Sequence, residues 1–360
     1  MFNVLPLIFV LLTIAQFKRA DSVWFWKLSL ASTELAHLFV MLVIIWVVWA
    51  RTRKKRRRWP VYLLGIFFTA VFLRPAVGAY IIAQNNNVDF SVTRLFTGET
   101  YEHVNVVTRE FKRGLNLDIY QPSTTPKSPK WLMVVHGGGW DSGDSTQVAH
   151  FNHFIASHLD MTVVSVNYRL APEFHWPAAT SDVAQAITYI KDHASELHID
   201  PQQYFLLGRS AGGQIAGEVA YNYSQYKIDQ PKGLILLYSP TDMVFGYEVG
   251  GEDDLLKSRG LIRAYMGGPP ELQLVSYNSA SLTQLLSTHS TPTLLIHGEN
   301  DFLTWFKHSE RLNWRLARMG AASHMILLPW ATHGFDFFLF GPSGQIALRS
   351  IEKLIATGAP

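Results

Sequence analysis

The chain contains the stretch Tyr204-Phe205-Leu206-Leu207-Gly208-Arg209-Ser210-Ala211-Gly212-Gly213. Its first four residues form an apolar run, which predicts a buried strand, and the residues after Gly213 predict a helix. The Gly-x-Ser-x-Gly turn between them is of the type that exposes a serine at the end of a sheet. Gly208 and Gly212 carry no Cβ, which leaves room for a strained backbone at Ser210. Ser210 is therefore the candidate nucleophile, although the pentapeptide alone also fits a plain turn without chemistry.

The composition bounds the class of protein. The chain has 360 residues, which is enough for one large or two ordinary domains. With 48% hydrophobic, 13% aromatic and 16% charged residues, it is apolar for a wholly soluble protein. It contains no cysteine, which excludes disulfides, thiolate nucleophiles and cysteine-ligated zinc.

One basic run carries more positive charge than the net charge of the whole chain. Seven cations lie between Arg51 and Arg58, whereas the formal net charge is only +3. Basic runs are typical of nucleic-acid sites. This one lies between two long apolar stretches, however, so we expect it to flank a bilayer and expect no nucleic-acid partner.

The N-terminal quarter predicts a membrane anchor over residues 1–83. Three apolar stretches cover residues 2–17, 30–50 and 61–83, and a helix that crosses the hydrocarbon core needs about 20 apolar residues. The second and third stretches meet that length. The first is short enough to be a signal peptide, but it lacks a basic n-region and a small-residue cleavage site. We therefore expect about three transmembrane helices.

The distribution of cations predicts the orientation of this anchor. Lys and Arg are retained on the cytoplasmic side, so the run between the second and third stretches should be cytoplasmic. The N-terminus would then be cytoplasmic, and everything after residue 83 would lie in the periplasm, lumen or exterior. Glu34 and Arg74 interrupt the second and third stretches at similar predicted depth. They either form an interhelical ion pair or mark the far interface of the bilayer.

Residues 101–360 show strand patterns that alternate with helix patterns. Residues 84–100 are polar and turn-rich and predict a linker or cap segment. After an antiparallel pair of strands, buried strands and helices alternate, which predicts a mostly parallel, doubly wound α/β sheet with helices on both faces. Ser181 is the expected N-cap of one of these helices, and residues 242–281 predict helical or loop insertions. The site should lie at the carboxyl ends of the strands.

Two further side chains complete a hydrolytic constellation. In an elbow fold the acid and the base follow the serine in sequence. Asp301 lies in the loop after one predicted strand, and His333 lies in the loop after the last one. Glu299 is the substitute if Asp301 is not the acid. Such a triad transfers acyl groups without a metal or cofactor.

A glycine run offers the remaining component, the donors for an oxyanion. Gly137, Gly138 and Gly139 follow the third predicted strand, and backbone N–H groups can approach a ligand closely where no side chain intervenes. Together with the N–H of Ala211, they are expected to form the oxyanion hole.

Five motifs in order resemble the hormone-sensitive-lipase-like carboxylesterases of the α/β-hydrolase superfamily. The resemblance covers residues 101–356 and rests on this set: His136-Gly137-Gly138-Gly139-Trp140, Asn167-Tyr168-Arg169-Leu170-Ala171-Pro172-Glu173, Gly208-x-Ser210-Ala211-Gly212-Gly213, Asp301-x-Leu303 and His333-Gly334-Phe335. It implies an α/β-hydrolase fold, the triad Ser210, Asp301 and His333, and the oxyanion donors Gly138, Gly139 and Ala211. It also implies hydrolysis of carboxylic esters without a cofactor.

The sequence departs from that family at two places, and the substrate class stays open. Arg209 precedes the serine where the family commonly has an acidic residue, and the loop at Asp301 resembles that of peptidase-like and feruloyl- or acetyl-esterase-like relatives. We expect a membrane-anchored serine carboxylesterase acting on a small-molecule or lipid ester. The alternative is a hydrolase of an acylated polysaccharide, or of an amide or peptide, on the same fold. A catalytically inactive scaffold protein is a third interpretation. The oligomeric state is not predicted.

Overall fold

Eight strands form a single sheet in the computed structural model, which describes residues 4–52 and 59–360. The strands are β1 (Val104–Lys112), β2 (Leu115–Pro122), β3 (Trp131–Val135), β4 (Thr162–Val166), β5 (Tyr204–Arg209), β6 (Gly233–Leu237), β7 (Thr293–Gly298) and β8 (Ser323–Leu328). Their order in the sheet is β1-β2-β4-β3-β5-β6-β7-β8. β1 and β2 pair antiparallel, as do β2 and β4, while β3, β4, β5, β6 and β7 pair parallel. The predicted mostly parallel sheet is confirmed.

Both faces of the central strands are covered. Every residue of β3, β4, β5, β6 and β7 is buried, although successive side chains of a strand point to opposite faces. Trp131 and Met133 belong to one apolar cluster with Ile187 and Val219, whereas Leu132, of opposite parity, is equally buried outside that cluster. Continuous apolar runs of this kind are typical of parallel strands buried on both sides.

Helices alternate with the strands after β3, as predicted. They are α6 (Ala149–His158), α7 (Ala178–Asp192), α8 (Ala194–Leu197), α9 (Ala211–Tyr221), α10 (Met243–Val249), α11 (Ser258–Met266), α12 (Pro270–Ala280), α13 (Lys307–Arg318) and α14 (Pro342–Thr357). The insertion at residues 242–281 is helical. The prediction that Ser181 caps α7 is wrong, because the helix begins three residues earlier, at Ala178 after Pro177.

The chain divides into two compact units that do not follow sequence order. The first comprises Met1–Glu99, Gly298–Phe302 and Leu327–Ser350, and the second comprises Thr100–His297, Leu303–Ile326 and Ile351–Pro360. The first unit therefore contains the N-terminal helices together with the loops that follow β7 and β8. The second unit contains most of the sheet, the turn after β5 and the loop after β3.

Within the described residues, five helices precede the sheet. They are α1 (Leu5–Phe17), α2 (Val23–Glu34), α3 (Ala36–Thr52), α4 (Trp59–Asn86) and α5 (Val92–Thr97). α1, α3 and α4 share an apolar cluster in which Phe9 contacts Trp46, Phe68 and Phe72 at ring-centroid distances of 5.4–6.1 Å. The segment 84–100, predicted as a linker, contains the end of α4 and the whole of α5.

One helix of the described residues, α4, is long and apolar enough to cross a membrane. α2 and α3 satisfy the same criterion only as one broken span, bent by 76°. α1 is apolar but has only 13 residues, or about 20 Å. Part of the first predicted stretch (residues 2 and 3) and the cations at 53–58 lie outside the described residues.

The second apolar stretch is not the single straight helix that its hydropathy predicts. The bend at Leu35 separates α3 from the end of α2, where Ser29, Ser32, Thr33 and Glu34 are buried. Hydropathy is averaged over a window of residues, so a few polar residues do not show in it. Here these polar residues are buried and form hydrogen bonds within the protein.

The interhelical pair between Glu34 and Arg74 is also not formed in the described chain. The Glu34 carboxylate accepts hydrogen bonds from the backbone N–H and the hydroxyl of Ser343, at 3.0 and 2.6 Å. The Arg74 guanidinium donates to the carbonyl of Pro329 at 3.0 Å and lies 4.6 Å from the centroid of the Phe17 ring. Both side chains therefore form hydrogen bonds with residues that are distant in the sequence and close only in the folded protein.

Candidate active site

Ser210 lies at a sharp turn between β5 and α9. Its φ and ψ are 50° and −125°, a conformation that L-residues rarely adopt. The turn is fixed on both sides, since the Ser210 N–H donates to the carbonyl of Leu237 in β6 at 3.0 Å and the Gly213 N–H donates to the carbonyl of Ser210 at 2.9 Å. Strain that is held by surrounding hydrogen bonds is a feature of functional sites.

Close packing at the start of α9 requires glycine. A Cβ on Gly212 would lie 2.2 Å from the carbonyl oxygen of His136 and 2.4 Å from that of Val135. Those are backbone atoms at the end of β3, so they cannot move away as a flexible side chain can. The absence of a side chain at Gly212 thus lets α9 approach the strand that leads into the glycine run.

The glycine run lies beside Ser210. A Cβ on Gly137 would be 3.1 Å from the Cβ of Ser210. Gly138 has a φ of 118°, and a Cβ there would lie 2.1 Å from the carbonyl oxygen of Ser142. Only glycine can adopt this loop conformation at position 138. Gly139 follows with a φ of 62°, and Ala211 is the first residue of α9. The predicted oxyanion donors therefore lie on the two segments that flank Ser210.

A buried hydrogen-bond network, which we call the Glu218 network, joins the glycine run to α9. The indole N–H of Trp140 donates to Oε1 of Gln214 at 3.2 Å, and the amide of Gln214 donates to Oε2 of Glu218 at 3.0 Å. Glu218 also accepts from the indole of Trp176 at 2.8 Å and from the hydroxyl of Tyr226 at 3.0 Å. Sequence reasoning missed this network, and only the i, i+4 spacing of Gln214 and Glu218 hinted at it.

Burial dominates the electrostatics of the Glu218 network. It raises the pKa of Glu218 to about 7, even though the hydrogen bonds from Trp176, Tyr226 and Gln214 act in the opposite direction. At the start of the glycine run, burial lowers the pKa of His136 to about 4, against a backbone hydrogen bond to Gly137. His136 is therefore a neutral imidazole at pH 7, and its ring stacks on Tyr168 at 4.2 Å.

The predicted acid and base contact each other in the first unit. His333 Nδ1 lies 2.7 Å from Oδ2 of Asp301, and both side chains are buried. Asp301 follows β7 and His333 follows β8, and the loops are tied together because the Asn300 N–H donates to the carbonyl of Ala331 at 3.1 Å. The substitute acid, Glu299, is exposed. With Nδ1–H donated to the carboxylate, the Nε2 of His333 is left as the acceptor of a proton.

The residue before Ser210 is a buried cation. Arg209 is 1% exposed, and its guanidinium lies 4.5 Å from the centroid of the Phe151 ring. An arginine over an aromatic face gains a cation–π contact, which is strongest where water is excluded. The departure from the family pattern at this position is therefore accommodated by packing against α6.

A family model described as BD-FAE matches residues 117–316, which is more than half of the chain. The matched range begins in β2 and includes Ser210, the glycine run and Asp301. The chain belongs to the BD-FAE family. Curated relatives of this BD-FAE chain include the arylacetamide deacetylase of Bos taurus, which is 31% identical over 172 residues, or 45% of this chain and 42% of the relative.

Other relatives of the BD-FAE chain are hydrolases by name. The probable carboxylic ester hydrolase LipM of Mycobacterium tuberculosis is 25% identical over 69% of this chain and 59% of its own length. The match with the bovine deacetylase spans less than half of that relative's length.

Solved structures confirm the α/β-hydrolase fold. A bacterial heroin esterase superposes with a TM-score of 0.63 at 21% identity, covering 75% of this chain and 89% of its own. An esterase of Pyrobaculum calidifontis gives a TM-score of 0.61 at 23% identity, covering 78% of this chain and 90% of its own. The α/β-hydrolase fold expected from the motifs is thus confirmed, whereas the resemblance to hormone-sensitive-lipase-like enzymes stays a proposal.

Proposed function

We propose that this chain is a membrane-anchored serine hydrolase of carboxylic esters that resembles the hormone-sensitive-lipase-like enzymes. The observation that carries the proposal is the 2.7 Å contact between His333 Nδ1 and Asp301 Oδ2, which gives the imidazole the tautomer of a general base. Ser210 at its strained turn supplies the nucleophile. The names of the relatives, which are esterases and carboxylic ester hydrolases, support the reaction class.

The proposed mechanism has two halves. In the first, Ser210 Oγ attacks the ester carbonyl while its proton passes to His333 Nε2. The resulting tetrahedral intermediate expels the alcohol, which takes the proton from His333, and an acyl-enzyme remains. In the second, a water molecule gives its proton to His333 and attacks the acyl carbon, and Ser210 leaves with the returned proton. Asp301 orients the imidazole and stabilises its cation throughout.

The oxyanion of each tetrahedral intermediate is proposed to accept hydrogen bonds from the backbone N–H groups of Gly138, Gly139 and Ala211. These donors are fixed before the reaction begins, because the glycine run and α9 are joined by the Glu218 network. Removal of one oxyanion donor in other hydrolases costs about 2.7–4 kcal/mol of transition-state stabilisation. No metal or cofactor takes part in this proposal.

An amide is the second candidate substrate class. The 31% identity to an arylacetamide deacetylase is the specific observation that favours it. Amides and esters use the same triad, but an amide requires protonation of a poorer leaving group. Turnover of p-nitrophenyl acetate compared with p-nitroacetanilide by the purified full chain separates the two classes, and faster turnover of the anilide would reverse our assignment.

We propose that residues 1–83 anchor the hydrolase in a bilayer, with residues 84–100 as a connecting segment and residues 101–360 as the catalytic domain on the non-cytoplasmic side. Support comes from the outward apolar side chains of three helices, for example Leu7 of α1, Val48 of α3 and Ile66 of α4, which are 70%, 59% and 68% exposed. Contiguous exposed apolar surface indicates contact with lipid or protein. A lipid ester is then an accessible substrate.

Labelling with a fluorophosphonate tests the nucleophile. The probe should modify the full-length protein at a single serine, located at Ser210 by mass spectrometry of the labelled peptide. Ser210→Ala should abolish the labelling, whereas Ser142→Ala, an exposed serine on the loop after the glycine run, should retain it. Continued labelling of the Ser210→Ala protein would refute the assignment.

A further inference from the structure

We propose that α1, α2 and α4 are positioning elements of the acid and the base, and not a removable anchor. This inference rests on the proposed function, because it assigns Trp26, Asn300 and Arg74 to the geometry of Asp301 and His333. The argument uses only contacts within the first unit, where both loops and the N-terminal helices lie.

The base is held from α2. The indole N–H of Trp26 donates to the carbonyl of His333 itself at 3.0 Å. The next residue, Gly334, has a φ of 77°, and a Cβ there would lie 3.5 Å from the Trp26 ring. Trp26 therefore fixes the peptide that carries the imidazole, at the point where the chain turns after β8. Loss of the hydrogen bond from Trp26 would allow the backbone at His333, and with it the imidazole, to move.

The loop that leads to the base is held from α4. Arg74 donates to the carbonyl of Pro329 at 3.0 Å, four residues before His333. The next residue, Trp330, packs so closely on α4 that a Cβ on Gly78 would lie 2.3 Å from its ring. Both contacts lie on the same side of α4, one turn apart. α4 thus determines the path of the loop between β8 and His333.

A buried network joins α2 to the same loop. The Trp330 indole N–H donates to the hydroxyl of Ser343 at 2.9 Å, and that hydroxyl donates to Glu34 at 2.6 Å. Glu34 also accepts from the backbone N–H of Ser343 in the first turn of α14 at 3.0 Å. A carboxylate at a helix N-terminus satisfies N–H groups that have no partner within the helix.

The acid is held from α1. The side-chain amide of Asn300, the residue before Asp301, donates to the carbonyl of Gln16 at 3.0 Å, near the end of α1. Gln16 is in turn joined to α2, because its own amide donates to the carbonyl of Ser32 at 2.8 Å. The acid loop is therefore supported by the same N-terminal helices as the base loop.

Catalysis is sensitive to this support for a geometric reason. A general base contributes only when it lies within hydrogen-bond reach of its proton, and a displacement of about 1 Å can lower the rate about 100-fold. Three N-terminal helices provide three hydrogen bonds to the two loops. Removal of residues 1–86 would delete all three partners, so we expect the N-terminal helices to be needed even for soluble esters.

The test separates kcat from KM in the full-length protein with p-nitrophenyl acetate, a soluble ester. Trp26→Phe keeps an aromatic side chain but removes the indole N–H together with the pyrrole half of the ring system, so kcat should fall roughly tenfold while KM stays unchanged. Asn300→Ala should lower kcat in the same way. The matched control is Trp24→Phe, because Trp24 lies on the same helix and is 80% exposed; its kcat should equal that of the wild type.

The outcomes distinguish the inference from the proposed function. A wild-type kcat for both Trp26→Phe and Asn300→Ala, in a preparation where Ser210→Ala is inactive, would overturn the positioning role and leave the hydrolase intact. A rise in KM at constant kcat would likewise overturn it, because substrate binding and not the base would then be affected. Ester turnover that survives Ser210→Ala would contradict the proposed function itself.

Discussion

At the scale of single residues, Glu218 connects the chemistry of the site with its stability. Its carboxyl lies among three hydrogen-bond donors in a dry environment, and burial favours the protonated form, with a pKa of about 7 against an ordinary value of 4.5. The folded protein therefore binds more protons than the unfolded chain between these two pH values. The free energy of unfolding must then fall as the pH rises through this window.

Replacement of Glu218 by Gln should remove this dependence. Glutamine keeps one acceptor oxygen for Trp176 and Gln214 and places an amide against the Tyr226 hydroxyl, as the protonated acid does. The loss of stability between pH 5 and pH 8 should shrink by an amount of the order of 3 kcal/mol. Urea unfolding of the detergent-solubilised protein at both pH values measures it.

The matched control for this prediction is Glu248→Gln, because Glu248 is an exposed glutamate of α10. Its unfolding curves should keep the pH dependence of the wild type. An unchanged dependence in Glu218→Gln would mean that another group is responsible for it.

The positions of residues that belong to sequence motifs could be predicted from the sequence. Contacts made by residues from distant parts of the chain could not. Asp301 and His333 stand in loops whose order after the serine is set by the fold, so their contact followed from the sequence. Trp26 and His333 are separated by 307 positions, and no local pattern relates them. Glu34 and Arg74 were expected either to form an ion pair or to mark the far interface of the bilayer. In the structure Glu34 contacts Ser343 at the start of α14, and Arg74 contacts Pro329 in the loop after β8.

At the scale of elements, the turn between β5 and α9 depends on close backbone packing. Gly212→Ala would place a Cβ 2.2 Å from the carbonyl oxygen of His136. We expect destabilisation by about 3 kcal/mol and loss of ester hydrolysis, because the helix, the strand end and the glycine run must separate to admit the methyl group. The midpoint of thermal unfolding and the specific activity are the measurements.

Gly260→Ala provides the matched control for this turn. Gly260 lies within α11, and the nearest atom to a Cβ there is at 4.0 Å. Alanine favours a helix interior over glycine by about 1 kcal/mol, so this variant should be as stable as the wild type or more stable. Equal behaviour of the two variants would contradict the packing argument.

Strands were predicted more accurately than helix ends. The apolar runs of β3 to β7 stand out because parallel strands are buried on both faces, and all five strands lie in the predicted mostly parallel sheet. Helix boundaries depend on single residues. α7 begins before Ser181, and the second apolar stretch breaks at Leu35, because tertiary contacts at these points outweigh local preference.

At the scale of the whole molecule, the proposed orientation can be measured with single cysteines, since the chain has none of its own. Thr52 and Asn85 are exposed, and in sequence they lie before and after the third predicted span, residues 61–83. Asn85→Cys should react with a membrane-impermeant maleimide in right-side-out vesicles, whereas Thr52→Cys should react only after permeabilisation. The reverse pattern would invert the proposed topology, and labelling of both would indicate that the segment does not cross.

The division of the chain into an anchor and a catalytic domain remains a prediction, and it assumes that each domain is one continuous segment of the sequence. The compact units of the structure combine residues 1–99 with Gly298–Phe302 and Leu327–Ser350. Hydropathy cannot predict such an arrangement, because it describes each segment alone. The contacts that create it are hydrogen bonds between residues more than 250 positions apart.

The central claim is that Ser210 and His333 act as one catalytic unit, and the most direct measurement of it is kcat/KM for an ester in Ser210→Ala, His333→Ala and the double variant. Members of a triad are strongly non-additive, since loss of either one disables the same step. We predict that each single variant lowers kcat/KM by roughly 10⁴-fold or more and that the double variant is no worse than either. Losses that multiply in the double variant, or near-wild-type activity in His333→Ala, would contradict the account.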